Sequence, residues 1–165
     1  SAQPAAPATD TGSRGAQRFP ELAWLVGEWQ GYGEFSDRVT YIRKVFAYDV
    51  GGVLLSERTV DMFPPARPST EFEVHQDLML FYRAGDTLRA RAFYVESFVT
   101  ACEVTVGEGA TIVVETTAVE NGPPDLRTRY SITPDGPDRF TGVFEIARAG
   151  HDFEPVEQLA MRRVY

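Results

Sequence analysis

Residues 27–35, Gly-Glu-Trp-Gln-Gly-Tyr-Gly-Glu-Phe, restrict the possible folds more than any other stretch of the chain. Read with a period of two, Gly27, Trp29, Gly31, Gly33 and Phe35 share one face, and Glu28, Gln30, Tyr32 and Glu34 share the other. Strands disfavour glycine, which loses the most backbone freedom on folding and offers no side chain to pack. Alternate glycines beside one tryptophan therefore mark either a strand that bends sharply where a small barrel closes, or a strand whose inner face stays open for something bulky. On the second reading Gly31 and Gly33 border a bound ligand or a large neighbouring side chain.

The segments that follow alternate in the same way, with turn signals between them. Residues 38–48 end at Asp49-Val50-Gly51-Gly52, and 53–63 form the hairpin partner before the loop Pro64-Pro65-Ala66-Arg67-Pro68-Ser69. Residues 73–83 and 87–96 flank Ala84-Gly85-Asp86, and 98–106 and 110–118 flank Gly107-Glu108-Gly109. Residues 126–133, 139–148 and 153–164 complete the set, which leaves no room for a long central helix. The spacing predicts an all-β chain of about ten antiparallel strands, with an up-and-down barrel favoured over a two-sheet sandwich because the hairpins are short and sequential. Before the first strand, Pro20 suits a helix start and Gly27 a stop, which predicts one short helical turn that plugs the sheet end with Trp24 and Leu25.

Composition removes several function classes. At 165 residues, 43% of them hydrophobic, the chain is long enough for one domain with a substantial core, and no long uncharged apolar run suggests a membrane span. A formal charge of −8 argues against nucleic acid or an anionic membrane as the main partner. One cysteine, Cys102, excludes an internal disulfide, and two histidines, His75 and His151, argue against a metal site built on several His ligands. Residues 1–17, rich in Ala, Pro, Ser, Thr and Gly, read as a flexible tail, and 18–165 as a single barrel domain. The small-residue start reads either as a mature chain after signal-peptide removal, with export to a bacterial periplasm or beyond favoured, or as a trimmed start on a cytoplasmic protein.

Some facings follow from the charges. With Arg89 and Arg91 towards water, Ala90, Ala92, Tyr94 and Glu96 turn inward; with Arg127 and Arg129 outward, Thr128, Tyr130 and Ile132 turn inward. Phe140, Gly142, Phe144 and Ile146 form another inner set, while 73–83 is ambiguous, with His75, Asp77, Met79 and Phe81 on one face. Small residues, aromatics and a few polar groups on inner faces fit a ligand cavity better than a solid aliphatic core. The candidate ligand-binding residues are His75, Tyr94, Glu96, Asp77, Arg58, Tyr130, Gly31 and Gly33. Asp77 is placed to orient the His75 imidazole, though a His–Asp pair without a nucleophile is no catalytic set. Glu96 and Arg58 are either inward charges that anchor a polar ligand end or a structural ion pair. No catalytic residue and no metal ligand is assigned, and Cys102, on one face with Val104, reads as an inert buried thiol.

Leu22-Ala23-Trp24-Leu25-Val26-Gly27-Glu28-Trp29-Gln30-Gly31-Tyr32-Gly33 resembles the opening of the nitrobindin-like barrels of the calycin group, which also includes lipocalins and fatty-acid-binding proteins. Val74-His75-Gln76-Asp77, Tyr94-Val95-Glu96-Ser97 and Met161-Arg162-Arg163-Val164 are similar to later stretches of that family, so the resemblance spans 20–164. It implies a ten-stranded calycin-like barrel and, in one branch, a ferric haem held by a histidine of the last strand. Here Val156 falls near that position and offers no ligand atom, so no cofactor is expected. His75 matches a cavity histidine of the family, and Arg162 the residue that points inward across Trp29.

Together these readings predict a small-molecule-binding barrel whose ligand is largely apolar with one polar end, with no nucleic-acid partner. The alternative is a barrel enzyme of isomerase or cyclase type that uses a cavity His or Glu as acid or base, or haem held by another ligand.

Overall fold

The computed structural model describes residues 10–66 and 68–165. Ten strands run in order: β1 (Gly27–Phe35), β2 (Arg38–Asp49), β3 (Leu54–Phe63), β4 (Glu73–Ala84), β5 (Thr87–Phe93), β6 (Val99–Val106), β7 (Ile112–Glu120), β8 (Arg127–Pro134), β9 (Arg139–Ala147) and β10 (Glu154–Val164). Each pairs antiparallel with the next, and β10 returns to β1 to close the barrel. The all-β up-and-down barrel expected from the turn spacing is the observed fold. The two-residue hairpin β1–β2 turns on Ser36 and Asp37, both at positive φ (45° and 66°), which matches the right-handed twist of the flanking strands.

Alternation sorts the side chains. β1 turns Trp29 and Gly33 inward; β2 buries Thr40, Ile42, Lys44 and Phe46; β3 buries Leu55, Glu57, Thr59 and Phe63. On β4 the inner face is that of His75, Asp77, Met79 and Phe81, which resolves its ambiguity. Two bulges shift this parity: Thr117 is the extra residue of β7 opposite β6, and Val156 that of β10 opposite β9.

One end of the barrel is closed. Phe19, Leu22 and Leu25 are fully buried, and the 3-10 turn Ala23–Leu25 caps the sheet, as Trp24 and Leu25 were expected to do. Trp29 donates its indole N–H to Leu25 O at 2.7 Å, and its ring meets Phe140 edge-on with centroids 4.8 Å apart. Arg163, not Arg162, lies across Trp29, its guanidinium carbon 4.2 Å from the ring centroid. Arg162 is exposed, because the inner parity of β10 is that of Leu159 and Met161. Arg163 also donates to Val26 O (2.7 Å) and Trp24 O (2.6 Å), so one side chain ties the last strand to the capping turn.

The N-terminal stretch differs from the expected tail. Residues 1–9 lie outside the described residues, but Thr11–Arg18 forms an α-helix, α1. Asp10 caps it by accepting from the Gly12 and Ser13 N–H groups. Gly15 carries no side chain where the Tyr48 ring packs, so α1 lies against the β2–β3 turn, and Arg83 holds the following segment through Arg18 O and a two-pronged pair with Glu21. A propensity reading of Gly and Ser misses this helix, because its stability comes from the cap and from packing.

Candidate functional site

The half of the barrel away from the cap encloses a cavity of about 90 Å³. Lys44, Glu57, Thr59, Asp61, Asp77 and Glu157 supply its polar side. Met79, Ala92, Tyr94, Tyr130, Phe144 and Leu159 supply the apolar and aromatic part of its lining.

Lys44 reaches this space because β2 turns the same face inward that carries Ile42 and Phe46. Its Nζ lies 2.6 Å from Glu57 Oε1 and 2.8 Å from Thr59 Oγ1, and Thr59 in turn donates to Glu57 Oε1 at 3.3 Å. Both charged side chains are buried, 7% and 3% exposed. Burial is the largest influence and works against the Lys44 charge, but the charge and hydrogen bond of Glu57 together with Tyr130 and Asp61 outweigh it and hold the ammonium above the usual lysine range. Three carboxylates have no such partner. Burial raises Asp61, with Lys44 opposing; burial pushes Asp77 up to about 6; burial, aided by Asp61, pushes Glu157 up to about 7. The buried oxygens Glu57 Oε2, Asp61 Oδ1 and Glu157 Oε1 meet no hydrogen-bond donor. Tyr130, 6% exposed, has its ring 5.2 Å from Lys44 Nζ and its hydroxyl without a partner.

The residues singled out from the sequence are not all brought together. Tyr94, Asp77 and Tyr130 line the cavity. Tyr94 stacks on Phe98, centroids 4.3 Å apart, and Asp77 Oδ1 accepts from Val95 N–H at 3.1 Å rather than orienting the imidazole. His75 sits at the rim against Phe63, its Nε2 2.8 Å from Glu73 Oε1 and its Nδ1 3.6 Å from Glu96 Oε1. Glu96 is exposed there, since β5 ends at Phe93 and the alternation that would turn it inward stops with the strand. Arg58 is exposed on the outer face of β3, because Leu55, Thr59 and Phe63 bury the opposite one; it neither lines the cavity nor pairs with Glu96.

Gly31 and Gly33 leave no vacant inner wall either. A Cβ on Gly31 would stand 1.9 Å from Ala160 O, so this glycine serves the close approach of β10. A Cβ on Gly33 would meet Ile42 Cδ1 at 2.7 Å and Glu157 Oε1 at 2.9 Å, so the space it frees is taken by these side chains.

The sequence reading missed Lys44, Glu57, Thr59, Asp61 and Glu157. A period-two reading of β3 held the signal, since Glu57, Thr59 and Asp61 share parity with Leu55 and Phe63. Cys102 is buried and its thiol is pushed up by that burial, which leaves it no nucleophile. Among the described residues, no group of three or more His, Cys, Asp or Glu is arranged to hold a metal ion, and no helix is long and apolar enough to cross a membrane.

No family model matches the chain, and no curated protein sequence matches it. Two solved structures of similar shape set the fold in context. Rv2717c from M. tuberculosis superposes with a TM-score of 0.66 at 15% identity, over 97% of this chain and 99% of that one. The S-type phycobiliprotein lyase CpeS from Guillardia theta superposes with a TM-score of 0.57 at 12% identity, over 95% and 98%. The shared fold is a closed antiparallel barrel, ten-stranded in this chain. At these identities the likeness speaks for the architecture and not for the chemistry inside it.

Proposed function

We propose that the protein is a small-molecule-binding barrel of nitrobindin-like type, with its ligand in the cavity beside Lys44 and Glu57. One observation carries this reading: buried polar atoms without partners converge on a partly enclosed space that aromatic rings also line. A buried acceptor without a donor costs roughly 1–3 kcal/mol, and in a scaffold built only for stability those positions favour apolar residues. A bound molecule with one polar end and an apolar body against Met79, Tyr94 and Phe144 satisfies both sides of the cavity.

The residues present do not fit the haem that the family resemblance implies. The inward residues of β10 are Glu157, Leu159 and Met161, Val156 is the bulge residue outside the cavity wall, and Met161 is buried against Gly31. A cavity of about 90 Å³ is also well below the roughly 300–1,000 Å³ of sites for drug-sized ligands.

A second reading, a barrel enzyme of isomerase or cyclase type, is favoured by Glu157, whose proton is held near neutrality in a partly enclosed site. Native mass spectrometry of protein isolated from its own cells tests the binding reading. The expected spectrum carries a mass above that of the chain that disappears on denaturation, and Tyr94→Phe is expected to lower its occupancy. An unloaded chain that also binds nothing from a small-molecule extract of those cells contradicts it.

A further inference from the structure

The cavity has a sign. Its lining carries four carboxylates, Glu57, Asp61, Asp77 and Glu157, against the single ammonium of Lys44. That ammonium is already matched at 2.6 Å by Glu57, so the remaining acids act on whatever else enters. The unpartnered atoms agree with the charge. Glu57 Oε2 belongs to a side chain 3% exposed and meets no donor, and neither do Asp61 Oδ1 and Glu157 Oε1. Once it has lost its proton, as Glu157 has above about pH 7, a carboxylate only accepts hydrogen bonds, so these oxygens then call for N–H or O–H groups on the ligand. The rings of Tyr94, Tyr130 and Phe144 line the same space, and Tyr130 already holds the Lys44 ammonium 5.2 Å from its centroid, so the aromatic lining tolerates a cation.

We propose that the cavity is a binding site for a small organic nitrogen cation, an amine or amidine, whose charged end sits among Glu57, Asp61 and Glu157. This rests on the reading of the cavity as a ligand site and names the chemical class of the ligand. An anion of equal size would gain only a lysine already paired and would face three further acids in a medium of low dielectric. An uncharged alcohol satisfies one acceptor and leaves the charge unbalanced. The groups that face Glu157 fix how binding depends on pH: Lys44 from β2, Glu57 and Asp61 from β3, Asp77 and His75 from β4, Tyr94 after β5 and Tyr130 from β8. A cation favours the ionised acids, so its uptake releases protons from Glu157 and Asp77, and affinity falls as pH drops through about 7 and then about 6.

Three probes with one ring and different ends separate the possibilities: benzylamine, benzyl alcohol and phenylacetate, each titrated calorimetrically into the full chain at pH 8 and pH 5.5. Benzylamine is expected to bind at least about tenfold more tightly than the other two, as charged hydrogen bonds imply, with proton release and weaker binding at pH 5.5. Glu157→Gln and Asp61→Asn keep side-chain shape and are each expected to weaken benzylamine by about tenfold or more. Glu103→Gln on the exposed face of β6 is expected to change nothing. Should either variant fail to fold, proton release and the pH dependence of the wild type still decide the matter. Benzyl alcohol or phenylacetate binding as tightly as benzylamine would overturn the cation assignment while leaving a ligand site in place. Benzylamine binding that ignores both substitutions and pH would overturn it as well. No binding by any of the three would overturn both this inference and the reading on which it rests.

Discussion

Lys44 Nζ and Glu57 Oε1 stand 2.6 Å apart on neighbouring strands, with both side chains buried inside the barrel. A buried pair of this kind seldom adds stability over an apolar pair, but breaking it by removing one partner leaves a charge stranded.

The first prediction follows from that asymmetry. Lys44→Met leaves Glu57 without its cation and is expected to cost roughly 3–5 kcal/mol in urea denaturation. The double variant Lys44→Met with Glu57→Met is expected to recover most of that loss. If the single variant loses under about 1 kcal/mol, well below that range, the pair does not organise the cavity as described.

Stability is also expected to fall between about pH 4 and pH 7 through the cavity acids. Glu157 is held at about 7 in the folded chain, above its ordinary 4.5, and Asp77 at about 6, above 3.8. Between 3.8 and about 6 for Asp77, and between 4.5 and about 7 for Glu157, the unfolded chain has released the proton while the folded chain keeps it, so rising pH favours unfolding. The loss is complete above the folded values, and for Glu157 it is on the order of 3 kcal/mol. Glu157→Gln should flatten the stability difference between pH 5 and pH 8, measured by denaturant titration at each pH. A variant with the same slope as the wild type would place the titration elsewhere.

Much of this architecture was legible beforehand, and the misses have physical causes. Turn residues between the alternating segments are enough to count strands, because a short hairpin leaves the chain little choice of partner. The inside of the barrel was harder, since a single bulge inverts parity for everything beyond it. Val156 is such a residue, and the cavity-lining residue beside it is Glu157. Glu96 lies past the end of β5, where alternation no longer applies. Arg58 was read as an inward charge, while the charges that turn inward are its neighbours Glu57 and Asp61 and the cross-strand Lys44. Polar residues with core parity carry no hydrophobic signal, so only a strict period-two reading anchored on Leu55 and Phe63 would have found them.

Arg163 provides a test of the closed end. Its guanidinium holds the carbonyls of Trp24 and Val26 and lies on Trp29. Arg163→Met keeps part of the packing but removes these charged hydrogen bonds, and is expected to cost roughly 2–4 kcal/mol, two such bonds less the packing retained. Tryptophan fluorescence should shift to the red as Trp24 and Trp29 gain water. A spectrum and a midpoint like those of the wild type would mean that the cap is held by Phe19, Leu22 and Leu25 alone.

The two glycines of β1 should respond differently to alanine. At Gly31 the new methyl meets a backbone oxygen of β10, which cannot yield without loss of strand pairing. At Gly33 it meets the ends of Ile42 and Glu157, which can rotate. Gly31→Ala is expected to cost about 3 kcal/mol or more and Gly33→Ala nearer 1 kcal/mol, measured by thermal unfolding. The reverse order would mean that β1 and β10 approach less closely than described.

The central claim is that the space beside Lys44 and Glu57 takes up a small molecule. Backbone amide NMR of the labelled full chain, titrated with a fragment set of amines, alcohols and carboxylates, tests it most directly. The account predicts that fragments which bind shift the amides of Thr59, Ala92, Tyr94 and Leu159 together, with a common saturation curve, and leave outer-face residues such as Arg58 and Glu103 in place. Shifts confined to the outer faces, or no saturable shift among the cavity amides across the whole set, would contradict it.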